Sequence, residues 1–419
     1  MHIIVFSPLL TPRIKYIFNF IFKDILKAEV EFTGNSVHFL QSEHVKISYS
    51  DNPLADELFF KSSPLLFSNK VEELKLKTIS FSDYLVPFPV EASALSFDVF
   101  SASFFILSRY EEYLHKEKSD ANFTARDSTQ YKWKVLNRPI IDEWALLLKN
   151  MIKKKYPSFK FHEKTFQHQP TINFTLKPDI PSGFLPKTKF IFTSIFNKKQ
   201  KFLSGVFDDL TGLGINPEEV ITDLGYLEIK SQPVYFINFP TDDKNRFSFE
   251  NSASFLKEKQ IGLLSPCLPE KEKSGNLKRE VLKLGKVQNS SINLRSQQLD
   301  FLKLPACYLH LLSAGITSDY SMGYSDEVGF RAGTCTPFNW YDLQLEKVTP
   351  INVKSYSISD TAIHYQNVND ATKTIKDFID AVKLVDGHFY SSWQLKNLSE
   401  NVKFKKWKAV FDEILKYAG

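Results

Sequence analysis

Thr171-Ile172-Asn173-Phe174-Thr175-Leu176 (TINFTL) reads as a strand that begins behind a polar stretch, and the chain beyond it repeats one rhythm. Strand-like runs at 234–239, 261–264, 291–294, 317–322, 351–357 and 388–393 alternate with helical stretches near 217–226, 249–259, 277–286, 299–313 and 370–385, before a last helix reaching residue 417. Alternation of this kind over about 250 residues demands a largely parallel sheet, and the length suits a barrel of (β/α) units. Chemistry in such barrels sits at the carboxyl ends of the strands, so the residues there are the ones to read for function.

Upstream, the polar stretch 156–169 separates this series from a different one. It divides the chain into a smaller α/β module over residues 1–160 and the barrel over 165–419. The module starts with an apolar segment, 1–22, that Pro8, Pro12, Arg13 and Lys15 interrupt and that no small-residue cleavage site follows, so it reads as a strand and then a helix. Thr11 caps that helix, Pro12 takes its first position, and Ile14, Ile17, Phe18, Ile21, Phe22 and Ile25 form one apolar face. A second helix over 98–115 starts at a capping Asp98 and buries Phe100, Phe104, Leu107 and Leu114. Arg109, Glu111 and Glu112 stand on its other face, solvated or turned to a neighbouring unit, with Arg109 and Glu112 spaced to pair. A third helix, 142–155, ends before Pro157.

The composition sets the frame for these elements. The chain has 419 residues, 43% hydrophobic and 24% charged, with 38 Phe and only 15 Gly, which is a globular composition with a Phe-rich core. The net charge of +5 is spread along the chain, and no basic tract argues for nucleic acid. Cys267, Cys307 and Cys335 match neither a zinc spacing nor a disulfide framework, and read as buried thiols of a reducing compartment. No apolar run approaches the roughly 20 residues a bilayer crossing needs, so the expectation is a cytoplasmic protein without a membrane partner. Nine histidines, at 2, 38, 44, 115, 162, 168, 310, 364 and 388, include no pair at helical metal spacing. His162 and His168 are expected to be exposed, and no Gly-x-Ser-x-Gly elbow occurs.

Three segments carry a resemblance. Residues 96–114 (SFDVFSASFFILSRYEEYL), residues 319–338 (DYSMGYSDEVGFRAGTCTPF) and the ending around Trp393 and Trp407 resemble the polysaccharide deacetylase-like proteins of Bacteroidetes-type bacteria, across nearly the whole chain. The resemblance implies a distorted (β/α) barrel preceded by a smaller α/β domain of unknown role. In active members it also implies metal-dependent removal of acetyl groups from amino sugars. That reaction needs a divalent ion to polarise the carbonyl and acidify a water, a carboxylate base and a histidine acid.

Matched against that pattern, the chemical groups are replaced one by one. The strand that ends in a Thr-Ile-Asp-Ile-Asp-like sequence in active relatives is Thr171-Ile172-Asn173-Phe174-Thr175 here, with Asn173 at the base position and Thr175 at a metal position. The strand that precedes a metal-binding histidine reads Ile261-Gly262-Leu263-Leu264. An Arg-Gln-His-Phe-Leu-Lys-like motif appears as 298–303 (QLDFLK), placing Gln298 and Asp300 where arginine and histidine stand, with Arg295 a spatial substitute only after a local shift. The late Trp-His is Trp393-Gln394. The resemblance therefore implies a pseudoenzyme with no metal and no cofactor.

Candidate binding residues lie in what survives. Asp319, Tyr320, Asp326, Glu327 and Arg331 are placed to line the barrel mouth, Arg331 gripping a carboxylate or a sugar hydroxyl with its planar fork. The plainer alternative is an internal ion-pair network positioning a long loop, with Gly323, Gly329 and Gly333 supplying turns. Trp340, Tyr341, Trp393, Tyr390 and Tyr320 are flat rings suited to stacking on sugars, or are simply core. Asp179, Asp208 and Asp209 are loop residues that read as caps rather than relocated metal ligands. Three functions remain open: a non-hydrolytic carbohydrate- or partner-binding protein, an active deacetylase using relocated residues such as Asp300, Asp319, Glu327 and Arg331, and a regulatory subunit of an active relative.

Overall fold

The computed structural model describes residues 2–118, 123–176, 215–225, 231–238, 254–265, 276–289, 291–296 and 302–419. Its first sheet contains β1 (Ile3–Phe6), β2 (Val30–Thr33), β3 (Val45–Ser50) and β4 (Leu58–Lys61) in the order β2-β1-β3-β4, every pair parallel. Parallel neighbours need crossovers, and α1 (Pro12–Asn19), running on into a π-helical turn Phe20–Ile25, supplies the first. The Thr11 hydroxyl accepts the Ile14 N–H, and the six apolar residues from Ile14 to Ile25 are all buried against the sheet. The second crossover, α2 (Ser36–Gln41), covers the other face, where Phe39 packs on Ile4 and Phe6. Both faces being covered, β1 is a wholly apolar IIVF.

A hairpin of β5 (Thr78–Phe81) and β6 (Tyr84–Pro87) follows, then α3 (Val99–Leu107), all nine of whose side chains are buried. Asp98 caps α3 as expected: one carboxylate oxygen accepts from Phe100 N and Ser101 N, the other from Tyr49 Oη (2.6 Å) and Ser63 N (2.8 Å). The single helix expected over 98–115 is broken, because Arg109 takes a left-handed backbone (φ 55°) and α4 (Tyr110–Lys118) sets off afresh. The next long helix is Ile140–Lys155.

The second sheet contains β7 (Gln167–Thr175), β8 (Val234–Asn238), β9 (Ile261–Leu264), β10 (Leu294–Ser296), β11 (Ser318–Asp319), β12 (Phe338–Asp342), β13 (Lys347–Val353), β14 (Ile358–Ser359) and β15 (His388–Gln394). Among the described residues its order is β12-β13-β11-β10-β9-β8-β7-β15-β14, with only the β12/β13 pair antiparallel. From β7 outward the strands follow chain order as far as β11, with β13 and then β12 beyond it, while β15 and β14 lie on the other side of β7. The sheet curls into a half-barrel whose edge strands are β12 and β14, and four residues, 354–357, lead from β13 to β14. Just before β14, Ser357 N donates to Tyr390 O (3.2 Å), extending the β14/β15 ladder.

Register sorts the side chains onto two faces. Ile172, Tyr235, Ile237, Leu263, Phe389 and Trp393 enter the main core under the helices, where Trp393 meets Phe411 of helix Lys405–Ala418 edge-on at 4.9 Å. Val234, Phe236, Leu264, Tyr320 and Tyr390 form a separate small cluster on the opposite face and fill the curl. A Cβ on Gly262 would lie 2.4 Å from the Phe236 ring and 2.9 Å from Leu294 Cβ, so the bare backbone there is what admits the ring.

Several expected elements change. The helix expected over 299–313 is described only as Ala306–Ser313, starting behind Pro305; residues 299–301 lie outside the described set. The strand expected over 317–322 is reduced to Ser318–Asp319; beyond Tyr320 the chain leaves the sheet and reaches residues of the first 150, where Tyr324 meets Arg109 and Phe330 N donates to Leu136 O. The strand expected over 351–357 becomes β13 and β14, and the β12 hairpin partner was not anticipated. The strand expected over 291–294 is Leu294–Ser296, and of the helix expected over 249–259 the described residues show one 3-10 turn, Ser254–Leu256. β7 begins at Gln167, inside the stretch read as a boundary. One hydrophobic cluster runs from Ile3 to Ala418 through both sheets. Among the described residues no helix is long and apolar enough to cross a membrane.

Candidate functional site

Alternation along the strands puts Asn173, Ser392 and Gln394 on the same sheet face as Phe236 and Leu264, at the carboxyl ends of β7, β15 and β9. Asn173 is 3% exposed and its amide nitrogen donates to Ser392 Oγ at 2.9 Å, while its carbonyl oxygen has no partner among the described residues. Turning the amide over would exchange the two roles, so in either orientation one buried polar end has no partner among the described residues. Gln394 is held from behind: its backbone N–H donates to Asp360 (2.6 Å), which also accepts from Asn397 Nδ2 (2.7 Å). Burial raises the Asp360 carboxyl above the usual carboxylate range. Leu264 is buried in the small cluster, and Thr175, at the end of β7, is exposed. Among the described residues the groups at these matched positions are thus an amide, two hydroxyls, a half-buried amide and an alkyl group. Such groups accept and donate hydrogen bonds without gaining or losing a proton near neutral pH, and neutral amide and hydroxyl oxygens are poor partners for zinc-type ions.

Gln298 and Asp300 lie outside the described residues, as do Asp179, Asp208, Asp209 and Cys267; the described cysteines, Cys307 and Cys335, are buried thiols. Tyr320 points into the curl, its ring 5.1 Å from Phe236 and 6.0 Å from Tyr390. Its hydroxyl accepts from Lys354 Nζ (2.7 Å) and donates to Gln169 (3.3 Å), and burial pushes the Lys354 ammonium below its usual range. Lys354 and Ser392 were not singled out from sequence: a lysine after a strand and a serine within one carry no distinguishing spacing.

The rest of the intact run 319–338 faces elsewhere. Asp319 is fully buried on the helix side of the sheet, accepting from Arg295 Nη1 (3.0 Å), Ser321 Oγ (2.7 Å) and Tyr308 Oη (3.0 Å). Arg295 spends its other nitrogens on Ser265 O, away from the curl. Arg331 donates with Nε and Nη2 to both oxygens of Glu112 in α4 (2.9 and 2.8 Å) and with Nη1 to Gly323 O (2.9 Å). Arg109 donates to the same Glu112 (2.8 Å) and to Gln130 (2.9 Å), and the two guanidiniums hold the Glu112 carboxyl down at about 2 despite its burial. The pairing expected of Arg109 and Glu112 is present, inside the protein rather than on a solvated face. Further along, Asp142 of the helix Ile140–Lys155 accepts from Thr334 Oγ1 (2.6 Å), Thr336 Oγ1 (2.6 Å) and Cys335 N (3.1 Å). Gly333 (φ 66°) brings the run so close to α3 that a Cβ would sit 2.5 Å from Ile106.

Glu327 is half-buried and accepts from Val328 N, Asp326 is exposed, and Trp340 is buried against Tyr308 at 5.0 Å. His162 is exposed, whereas His168 lies in β7 with Nε2 3.1 Å from Ser391 Oγ, and burial pushes its imidazole down to about 3. A separate cleft of about 530 Å³ opens between α1 and the β12–β13 hairpin, lined in part by Tyr16, Asn19, Asp24, Asn339 and Lys347. Arg13 and Glu346 pair at its wall (2.9 Å).

Residues 3–157 match the model of a family of unknown function (DUF7033). No curated protein matches the chain. Among solved structures it is similar to a polysaccharide deacetylase from Mycobacterium smegmatis, at 9% identity and a TM-score of 0.38, covering 61% of this chain and 86% of that one. It is also similar to PuuE allantoinase, at 8% identity and a TM-score of 0.35, covering 61% of this chain and 90% of that one. Both likenesses are distant.

Proposed function

We propose that residues 165–419 are a polysaccharide deacetylase-like barrel retained for binding rather than hydrolysis, with a hydroxyl-rich ligand of the carbohydrate class at the carboxyl ends of β7, β9 and β15. The observation that carries this reading is the Asn173 amide, buried beside Ser392 with one polar end unpaired among the described residues, on the face that bears Gln394. A buried amide without a partner costs about 1–3 kcal/mol, which a hydrogen bond from a ligand hydroxyl offsets. Acetyl removal by the usual route asks for a cation and a proton acceptor at this place, and amide, hydroxyl and alkyl side chains supply neither. A groove of hydrogen-bonding groups outlives the loss of chemistry, since binding needs no ion.

The test pairs binding with turnover on the full chain. Calorimetric titration with N-acetylated chito-oligosaccharides should give saturable binding that Asn173→Leu weakens by about tenfold, the value of one hydrogen bond to a buried group. No acetate should be released with or without added zinc, cobalt or nickel. Metal-stimulated acetate release by the unaltered chain, or binding indifferent to Asn173→Leu, would overturn the proposal. Putting back Asn173→Asp, Thr175→Asp, Leu264→His and Gln394→His together checks the strand matching, because a correct match restores ion binding at this end of the sheet.

A further inference from the structure

We infer that His2, Glu31 and His44, with His38 as a fourth donor, form a binding site for a divalent transition ion of the zinc class at the amino end of the first sheet, apart from the barrel and independent of its function. The residues come from four elements. His2 immediately precedes β1, His44 immediately precedes β3, and the two strands are direct neighbours in register, Ile3 opposite Val45. Glu31 lies on β2, opposite Ile4. Side-chain alternation puts His2, like Ile4, on the face that α2 covers, and α2 carries His38 next to the buried Phe39.

The donor atoms converge. His2 Nε2 is 2.7 Å from one Glu31 oxygen and His38 Nε2 is 3.6 Å from the other. The His2 and His44 rings lie against each other with centroids 3.5 Å apart. One donor atom from each of His2, Glu31 and His44 falls within 4.8 Å of the other two. Donors around a tetrahedral zinc, bound at about 2.0–2.1 Å, stand about 3.3 Å apart. Closing the set therefore needs small rotations about side-chain bonds, and these side chains have room for them: His2 is 30%, Glu31 39% and His38 54% exposed. The backbone supporting them is fixed by the parallel ladder, so the donors are brought together without reorganising the fold.

The chemistry of the set selects the ion. Imidazole nitrogens with one carboxylate suit zinc and its first-row neighbours, whereas calcium and magnesium require sites made of oxygen. Without an ion the cluster asks one carboxylate to serve several imidazoles and presses two rings together; a cation accepts all their lone pairs at once. The bound ion would tie the start of the chain to β2, α2 and β3.

The experiment uses the full chain with a C-terminal, histidine-free affinity tag, stripped with chelator and then titrated with Zn²⁺ by calorimetry while the melting temperature is followed. One ion per chain is expected, with a rise in melting temperature. His2→Gln and His44→Gln should each weaken binding by about 100-fold, the upper end of what losing even a supporting group costs, and His162→Gln should leave it unchanged. Metal-free melting temperatures of these variants should match the parent, since the side chains are half-exposed, so a lost site is not confused with a lost fold. Co²⁺ in place of Zn²⁺ should give the intense visible bands of a four-coordinate site. Absence of stoichiometric binding, or binding that survives both histidine substitutions, would overturn the assignment and leave only His–Glu ion pairs.

Discussion

Replacing Glu112 with glutamine removes one charge from a place where two guanidiniums depend on it. Arg331 has Glu112 as its anionic partner on both oxygens, and Arg109 shares it (2.8 Å), keeping Glu111 at 3.2 Å as a second. Glu112→Gln preserves shape but turns one acceptor into a donor facing an N–H and leaves the buried Arg331 cation without a counter-charge. Breaking one side of a buried pair costs about 3–5 kcal/mol. A second route gives a similar figure: the carboxyl is held from an ordinary 4.5 down to about 2, a difference corresponding to about 3 kcal/mol of folding free energy at pH 7. Because the folded value lies below the unfolded one, that contribution is complete above about pH 4.5 and fades as pH falls towards 2, with more than half gone by about pH 3. Urea unfolding of parent and Glu112→Gln at pH 7, 5 and 3 should show a gap of about 3 kcal/mol that shrinks on acidification. Adding Arg331→Met to Glu112→Gln should recover part of the loss. A cost below about 1 kcal/mol at pH 7, or a gap of the same size at pH 3, would refute this account of the network.

Gly262→Ala should destabilise by about 1–3 kcal/mol, read as a lowered unfolding midpoint, because the new methyl meets the Phe236 ring; Phe236→Leu in the same chain should relieve it. Asp142→Asn should cost about 1–3 kcal/mol by thermal melting, since an NH₂ would then confront a hydroxyl or the Cys335 N–H where an oxygen now accepts.

Local signals in the sequence reported local structure well. Thr11 and Pro12 start α1, Asp98 caps α3, and the run 261–264 is the strand β9, because capping groups and apolar runs act within a few residues of themselves. The parallel alternation was visible for the same reason. Features that depend on partners far along the chain were not visible. Arg109 breaks a helix that periodicity would continue, since its side chain is committed to Glu112, Gln130 and Tyr324, the last 215 residues away. Arg331, Asp319 and Trp393 have residue types suited to ligands, yet each meets a buried protein partner whose position only the fold supplies. The histidine cluster was not legible because metal spacing along a helix says nothing of neighbours across strands, and His2, Glu31 and His44 meet only there.

The grip of residues 319–338 on Glu112, Gln130 and Asp142 bears on how the molecule comes apart. A chain cut near residue 160 would give two fragments, each baring charges and hydroxyls that the other now shields, together with severed apolar core. These shared contacts lead to the expectation that the stretches before and after the cut melt in a single calorimetric transition, and two separated transitions would refute it.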